Sequence, residues 1–230
     1  GSRIEQGPVL LNEGLPVGVV TGFASGAGVR VEVTGLAGHA GTVPMGSRQD
    51  ALAAAAEMVL AVERIASAPG EGGAALVGTV GTIDARPGAI NVIPQQVSFT
   101  VDVRSGDDVA RRRATGVMRD AFDAIATRRR VKVASDVFYE LPAAPCDASL
   151  QDALAASVAR RGLPVRRLPS GAGHDAMVFP PVCPIAMLFV RCGAGGISHH
   201  PDETMTAEDA EVATSVFLDF LETWTPPECR

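Results

Sequence analysis

The four cysteines, Cys146, Cys183, Cys192 and Cys229, stand far apart, with no Cys-x-x-Cys and no closely spaced set. Their spacing excludes a zinc knuckle and a small disulfide scaffold, and it fits a reducing, cytoplasmic setting. No apolar run reaches the ~20 residues of a membrane-spanning helix, so no membrane partner is expected. The chain opens GSRIEQGPVL, without an initiating Met and without a signal-peptide pattern, and Gly1-Ser2 reads as an added pair. A basic face is also missing. Twenty Lys and Arg stand against 26 Asp and Glu, a formal net charge of −6 spread along the chain, which argues against nucleic acid as a partner. The runs Arg111-Arg112-Arg113 and Arg128-Arg129-Arg130 read as solvated helix surface and helix end. No lysine follows Ser170-Gly-Ala-Gly-His174 in the phosphate-loop position, and neither His199 nor His200 has an HExxH neighbour.

What is present is ample apolar content, 47% of 230 residues, enough for one large domain or two small ones. Val29, Val31 and Val33 alternate with Arg30, Glu32 and Thr34, which predicts a half-buried strand. Ser47-Arg-Gln-Asp50 has a capping-box pattern and precedes a helix with Ala55, Met58, Val59, Val62 and Ile65 on one face, ended near Pro69-Gly70. A weaker strand follows from Leu76 to Ile83, interrupted by Gly78 and Gly81. Val97 to Val103 alternates cleanly. Ser105-Gly-Asp-Asp108 opens a second helix, with Met118, Ala121, Phe122 and Ile125 on one side, and a short strand at Val131–Val133 closes the set. The order β-α-β-β-α-β predicts a ferredoxin-like unit whose two helices cover one face of an antiparallel sheet, with Asp102 and Arg104 on the other.

Around this unit lie pieces of an α/β layer. Pro16–Gly22 reads as an apolar strand. Asp147 caps a helix with Leu150, Leu154 and Val158 in line, closed by Gly162. Pro184–Val190 reads as a strand buried on both faces. Thr206-Ala-Glu-Asp209 starts a final helix with Val212, Val216, Phe217, Phe220 and Leu221 inward. The predicted division is 1–22 plus 138–230 for an incomplete α/β domain and 23–137 for the inserted ferredoxin-like domain. An incomplete layer is expected to expose apolar surface around Ile185–Val190.

The residues able to do chemistry fall into four clusters. His39, in Gly38-His-Ala-Gly41, is either a loop histidine bonded to backbone or an uncrowded imidazole available for chemistry. Asn91 and Arg104 are, separately, a turn residue and a surface cation; close together they would suit a carboxylate. Ser170-Gly-Ala-Gly-His174-Asp175 could open a helix whose N–H groups favour an anion. Gly195-Gly-Ile-Ser-His-His200-Pro-Asp-Glu203 reads as half of a metal site, because zinc-like ions need three or four convergent ligands.

Taken together, Ile4-Glu-Gln-Gly-Pro-Val9, Gly-His39-Ala-Gly-Thr42, Asn91-Val-Ile-Pro94, Asp102-Val-Arg104, Gly-Ala-Gly-His174-Asp-Ala and Gly-Ile-Ser-His199 closely resemble the hydantoinase/carbamoylase family of dinuclear-metal amidohydrolases. That family includes N-carbamoyl-L-amino-acid hydrolases, allantoate amidohydrolases and beta-ureidopropionases. The resemblance implies a zinc-peptidase-like catalytic α/β domain with an inserted ferredoxin-like dimerisation lid, a homodimer, and a small ureido or carboxylate substrate. It implies two divalent ions, Zn or Mn, in the intact enzyme. It matches His199 to a metal ligand, His39 to the lid histidine that polarises the scissile carbonyl across the dimer, and Asn91 and Arg104 to the substrate-carboxylate site. Gln6 and the backbone at Gly171 and Ala172 match substrate contacts. Where the family carries a metal-ligating His before Ile-Glu-Gln-Gly-Pro, this chain has Arg3, which cannot ligate a metal because it stays protonated. The expectation is a carboxyl-terminal portion with an incomplete metal site, inactive alone. Related readings are a zinc exopeptidase or aminoacylase, and a non-catalytic dimerising or ligand-binding module.

Overall fold

Side chains that alternate every second residue can bury only one face of a sheet, and that rule organises half of this protein. The computed structural model describes residues 1–68 and 75–225. In chain order the elements are β1 (Ser2–Ile4), α1 (Val9–Glu13), β2 (Val17–Phe23), β3 (Ser25–Thr34), β4 (Gly38–His39), α2 (Ala51–Ser67), β5 (Leu76–Arg86), β6 (Val92–Ile93), β7 (Gln96–Ser105), α3 (Asp108–Arg129), β8 (Lys132–Leu141), β9 (Ala144–Pro145), α4 (Ala148–Arg160), β10 (Arg167–Ser170), β11 (Leu188–Val190) and α5 (Ala207–Thr223). Two compact units result: Gly1–Ala24 with Ala144–Arg230, and Ser25–Ala143. Among the described residues, no helix is long and apolar enough to cross a membrane.

In the Ser25–Ala143 unit, four antiparallel strands lie in the order β5-β7-β3-β8. Val29, Val31 and Val33 of β3 and Val97, Phe99, Val101 and Val103 of β7 bury against Met58 and Val62 of α2 and Met118, Phe122 and Ile125 of α3. The outer face carries Arg30, Asp102 and Arg104, as the alternation predicts. It also carries two aromatic rings that the alternation does not foresee. A register shift between Gly28 and Val29 pairs Gly28 with Tyr139 and Val29 with Val137, so Phe138 is left out of the ladder. Phe138 and Tyr139 then meet edge to face at 5.3 Å, and the Arg30 guanidinium lies over Phe138.

Several boundaries differ from the sequence reading. The short strand expected at Val131–Val133 is the ten-residue β8, so residue 138, the expected domain boundary, lies inside a strand. β5 runs past Gly78 and reaches Arg86, while at Gly81 its pairing with β7 shifts register between Val80 and Thr82. A Cβ at Gly78 would stand 3.0 Å from Ala66, so this glycine admits the helix layer and does not end the strand. Neither serine is the helix cap. Asp50 receives the Leu52 and Ala53 amides, and Asp107 receives those of Val109 and Ala110. In each case the aspartate stands nearer the first helical turn. Pro69-Gly70, read as a helix end, lies outside the described residues. Arg111 is a larger correction. Its side chain is only 2% exposed and bonds Ser25 Oγ at 3.1 Å, Glu140 at 2.5 Å and Asp108 at 3.3 Å. Arg128 and Arg129 both pair with Glu57 of α2.

In the other unit the sheet order is β1-β11-β2-β10, with β9 beside β2. β1 runs parallel to β11 and β10 parallel to β2, while β11 and β2 are antiparallel. Val17, Val19, Leu188 and Val190 face Leu154 and Val158 of α4 and Val216 and Phe220 of α5. Val20, Leu168, Met187 and Phe189 bury on the opposite face with Leu10 and Phe23. Coverage on both faces explains the continuous apolar run, and it corrects the expected exposure: Ile185 and Met187–Val190 are buried. Only β11, three residues long, is strand within that run. Asp147 and Thr206 cap their helices as predicted, accepting from Leu150 and Asp209. Leu221 points out instead of in.

Candidate functional site

The site residues expected from sequence divide between the two units, and each group is built locally. In the first unit, Glu5 is buried, and its carboxylate accepts the Val9 and Leu10 amides, both at 2.9 Å, satisfying the orphan donors that open α1. Gln6 next to it adopts φ 58°, a left-handed conformation uncommon for a residue with a Cβ. Its Nε2 donates to Glu203 Oε1 at 2.9 Å. The other oxygen of Glu203 accepts from Ser198 Oγ at 3.0 Å and from the His199 amide at 2.9 Å. The Gln6 amide first, then the His199 N–H and the Ser198 hydroxyl, hold the Glu203 carboxyl below the usual carboxylate range. Glu203 therefore ties the Gly-Ile-Ser-His199 loop to the Ile4-Glu-Gln-Gly-Pro8 segment. The backbones also touch: Gly196, at φ 80°, approaches so closely that a Cβ there would lie 2.4 Å from the Gly7 carbonyl carbon. The loop is anchored behind by the Arg191 fork on buried Asp209, at 2.9 and 2.7 Å.

His199 itself is exposed, at φ 56°. Among the described residues, no group of three His, Cys, Asp or Glu side chains is placed to hold a metal ion. Both Glu203 oxygens are already engaged as acceptors. Arg3 donates instead to the Gly173 carbonyl at 3.0 Å, so the position expected to face a metal carries a cation bound to a loop. A two-metal site does not fit the donors of the described residues. Arg3 and Glu203 share a groove of about 510 Å³ with Ser2, Ile4, Val190, Thr204 and Met205.

Gly171 and Ala172 lie in the same unit, after β10. The Ala172 carbonyl accepts from Ser170 Oγ at 2.8 Å. The helix expected to open here is only a 3-10 turn, Asp175–Val178. His174 caps it by accepting the Ala176 amide on Nδ1 at 2.9 Å while its ring stacks on Phe23. So short a turn offers no anion-binding helix end.

In the second unit, β4 and β6 pair, opposing His39 and Val92, and the Ala40 amide donates to the Asn91 carbonyl at 2.9 Å. His39 and Asn91 are thereby brought together, both exposed. The His39 Nδ1 accepts the Gly41 amide at 3.0 Å, which leaves Nε2 as the ring nitrogen able to donate. Arg104 lies elsewhere. It is eight residues along β7 from Gln96, about 27 Å at the rise of an antiparallel strand, while the β4–β6 pair lies beyond the Gln96 end. Asn91 and Arg104 therefore stand apart along this unit. The neighbours of Arg104 are Asp102, a two-pronged contact at 2.8 and 3.0 Å, and Tyr139, whose hydroxyl donates to the same carboxylate at 2.9 Å. Burial pushes the Asp102 carboxyl up, but the Arg104 fork and the Tyr139 hydroxyl outweigh it and hold it below the ordinary value.

Residues 3–223 match the sequence profile of peptidase family M20/M25/M40. The chain belongs to that family. It is 39% identical over 214 residues to N-carbamoyl-L-amino acid amidohydrolase of Geobacillus stearothermophilus, covering 93% of this chain and 51% of that protein. It is 40% identical to allantoate deiminase 2 of Glycine max, covering 96% of this chain and 50% of the relative. Ureidoglycolate hydrolase of Arabidopsis thaliana is 37% identical over 90% of this chain and 43% of its own length. Among solved structures, an amidase of the hydantoinase/carbamoylase family from Burkholderia multivorans superposes with a TM-score of 0.88 at 36% identity, covering 96% of this chain and 53% of that one. The chain thus spans about half the length of these relatives, and its mixed α/β architecture matches theirs. Sequence reasoning assigned no individual role to Glu5, Asp102, Tyr139 or Arg48, and it read Glu203 only as the acidic end of half a metal site. A carboxylate four residues after His199 was the one visible signal.

Proposed function

We propose that this chain is part of a hydrolase that cleaves the C–N bond of a ureido or N-carbamoyl acid, and that it supplies the parts that grip the substrate. The observation that carries the reading is the exposed His39 imidazole, whose Nδ1 is taken up by the Gly41 amide, so that Nε2 is the nitrogen able to donate to a carbonyl oxygen. A single donor of this kind is worth about 3 kcal/mol in a transition state where the oxygen gains charge. N-Carbamoyl amino acids, allantoate and ureidoglycolate all join a ureido carbonyl to a carboxylate, so the activities for which the relatives are named support one substrate class. Arg104, stiffened by Asp102, suits the carboxylate. Asn91, Gln6 and the backbone of Gly171 and Ala172 complete the substrate contacts, and His199 takes the metal-ligand role.

The separation of Arg104 from His39 and Asn91 supports a homodimer. A small substrate cannot reach both groups of one lid, so His39 and Asn91 act on the substrate held by the partner subunit. In this reading 23–137 is a ferredoxin-like lid and 1–22 with 138–230 belong to the catalytic α/β domain. The two divalent ions of the reaction need ligands that the donors of the described residues do not complete. Hydrolysis therefore requires residues outside this chain.

Isothermal titration of the purified chain with an N-carbamoyl-L-amino acid and with its carboxamide analogue tests the substrate class. The acid is expected to bind and the amide to bind at least about tenfold more weakly, a difference of roughly one charge-assisted contact. Equal binding overturns the reading. Ammonia release from the chain alone, supplied with Zn or Mn and containing two tightly held ions, overturns the requirement for outside residues. The family profile is that of a peptidase, which favours one second reading, an exopeptidase or aminoacylase. Preferential binding of an N-acyl amino acid or a dipeptide over the ureido acid would select it.

A further inference from the structure

Arg48 lies outside every motif that carries the resemblance, yet it controls the loop that bears His39. Its side chain is half-buried beside the start of α2. Nε donates to the Val43 carbonyl at 3.1 Å and Nη2 to the Ala40 carbonyl at 2.6 Å. The loop between those carbonyls folds back on His39: the Thr42 and Val43 amides donate to the His39 carbonyl at 3.2 and 3.1 Å, and the Gly41 amide donates to Nδ1. One guanidinium therefore closes a turn in which the main chain reaches the imidazole from below. Behind it stands a second arginine. Arg130 is the left-handed cap of α3, at φ 56°, and its Nη2 donates to the Gly46 carbonyl at 2.5 Å and, at a longer 3.4 Å, to that of Arg48. The Leu36 amide on the Gln49 carbonyl and the Ala51 amide on the Pro94 carbonyl pin the flanks of the same segment.

We propose that Arg48 is a positioning residue for His39: by clamping the Ala40 and Val43 carbonyls it holds the Gly41 N–H against Nδ1 and so fixes the neutral imidazole as the tautomer with its proton on Nε2. A nitrogen that accepts an N–H cannot carry a proton of its own, so the choice of tautomer follows from the contact. The chemistry needs this choice. The other tautomer turns a lone pair toward the carbonyl oxygen and repels the charge it should stabilise. Arg suits the task because its planar fork spans two carbonyls at once, which the point charge of Lys cannot do. Arg130 holds the clamp from outside and transmits the end of α3 to the loop. The catalytic meaning rests on the donor role proposed for His39; the clamp itself does not.

The test is a long-range proton–nitrogen NMR spectrum of the uniformly labelled chain at a pH where the imidazoles are neutral. The His39 signals are identified by their loss in His39→Gln. The wild-type chain is expected to show His39 as a single tautomer with Nδ1 unprotonated. In Arg48→Ala the two ring-nitrogen shifts move toward each other, and the Gly41 amide exchanges about tenfold faster, the loss of roughly one hydrogen bond. Arg48→Lys, able to hold one carbonyl, restores part of both, and Arg130→Ala shifts both less and in the same direction. A folded Arg48→Ala chain, checked by circular dichroism, that keeps the wild-type His39 pattern and Gly41 protection overturns the proposal. If Arg48→Ala does not fold, Arg48→Lys decides: an unchanged spectrum with unchanged Gly41 exchange overturns it. These spectra are recorded without substrate, so a failure of the clamp and a failure of the ureido reading are separate results.

Discussion

Replacing Gly196 by Ala, with Gly195→Ala as its control, tests the contact that joins the His199 loop to the Gln6 segment. Both glycines have φ near the same left-handed value, 75° and 80°, so both variants incur the strain of a Cβ in that region, about 1–2 kcal/mol. Their surroundings differ. Nothing lies within 4 Å of a Cβ at Gly195, while one at Gly196 would meet the Gly7 carbonyl carbon at 2.4 Å and Pro8 N at 2.5 Å. Those are backbone atoms and cannot rotate away, so the two segments must separate, adding about 1–3 kcal/mol of overpacking strain. Gly195→Ala should therefore cost about 1–2 kcal/mol and Gly196→Ala about 2–5 kcal/mol. The single tryptophan, Trp224, stacks on Phe220 of this same unit and reports its unfolding by fluorescence in urea. The midpoint should fall further for Gly196→Ala with the slope unchanged. Equal costs within about 0.5 kcal/mol, the scale of an ordinary surface substitution, would show that the close approach does not hold the loop and that Glu203 and the Arg191–Asp209 fork must.

Arg111→Ala should cost about 2–3 kcal/mol in urea unfolding followed by circular dichroism, below the usual ~3–5 kcal/mol for an orphaned buried pair, because Glu140 and Asp108 are partly exposed and regain water. A loss under about 0.5 kcal/mol would restore the solvated-helix reading of this arginine. Burial pushes the Cys146 thiol up to about 11 from an ordinary 9.0, so at pH 8 iodoacetamide should label exposed Cys183 well before Cys146, as read by peptide mass spectrometry. Because the folded thiol is the weaker acid, the contribution of Cys146 to stability is present below pH 9.0 and falls as pH rises toward about 11. Rapid labelling of Cys146 at pH 8 would refute its burial.

The sequence by itself determined the local features. Alternation in Val29–Val33 and Val97–Val103 fixed which face of the larger sheet is apolar, and Asp147 and Thr206 announced the helices they cap, because each signal acts over a few residues. The motif phrases were equally local, and they pointed to the family. Tertiary structure decided what depends on residues far apart in the chain. Arg111 is a surface cation by its neighbours in sequence and a buried hub by its bonds to Ser25 and Glu140, which lie 86 and 29 residues away. Asn91 and Arg104 are thirteen positions apart along the chain, yet β7, which advances about 3.4 Å per residue, carries Arg104 toward its far end, away from the β4–β6 pair beside which Asn91 lies. His39 reads as one lone histidine until the ladder with β6 and the arginine clamp give it a direction. A pattern of residue types can say which side chain is able to donate; only the surrounding backbone, brought in from elsewhere in the chain, sets which nitrogen holds the proton and where it points.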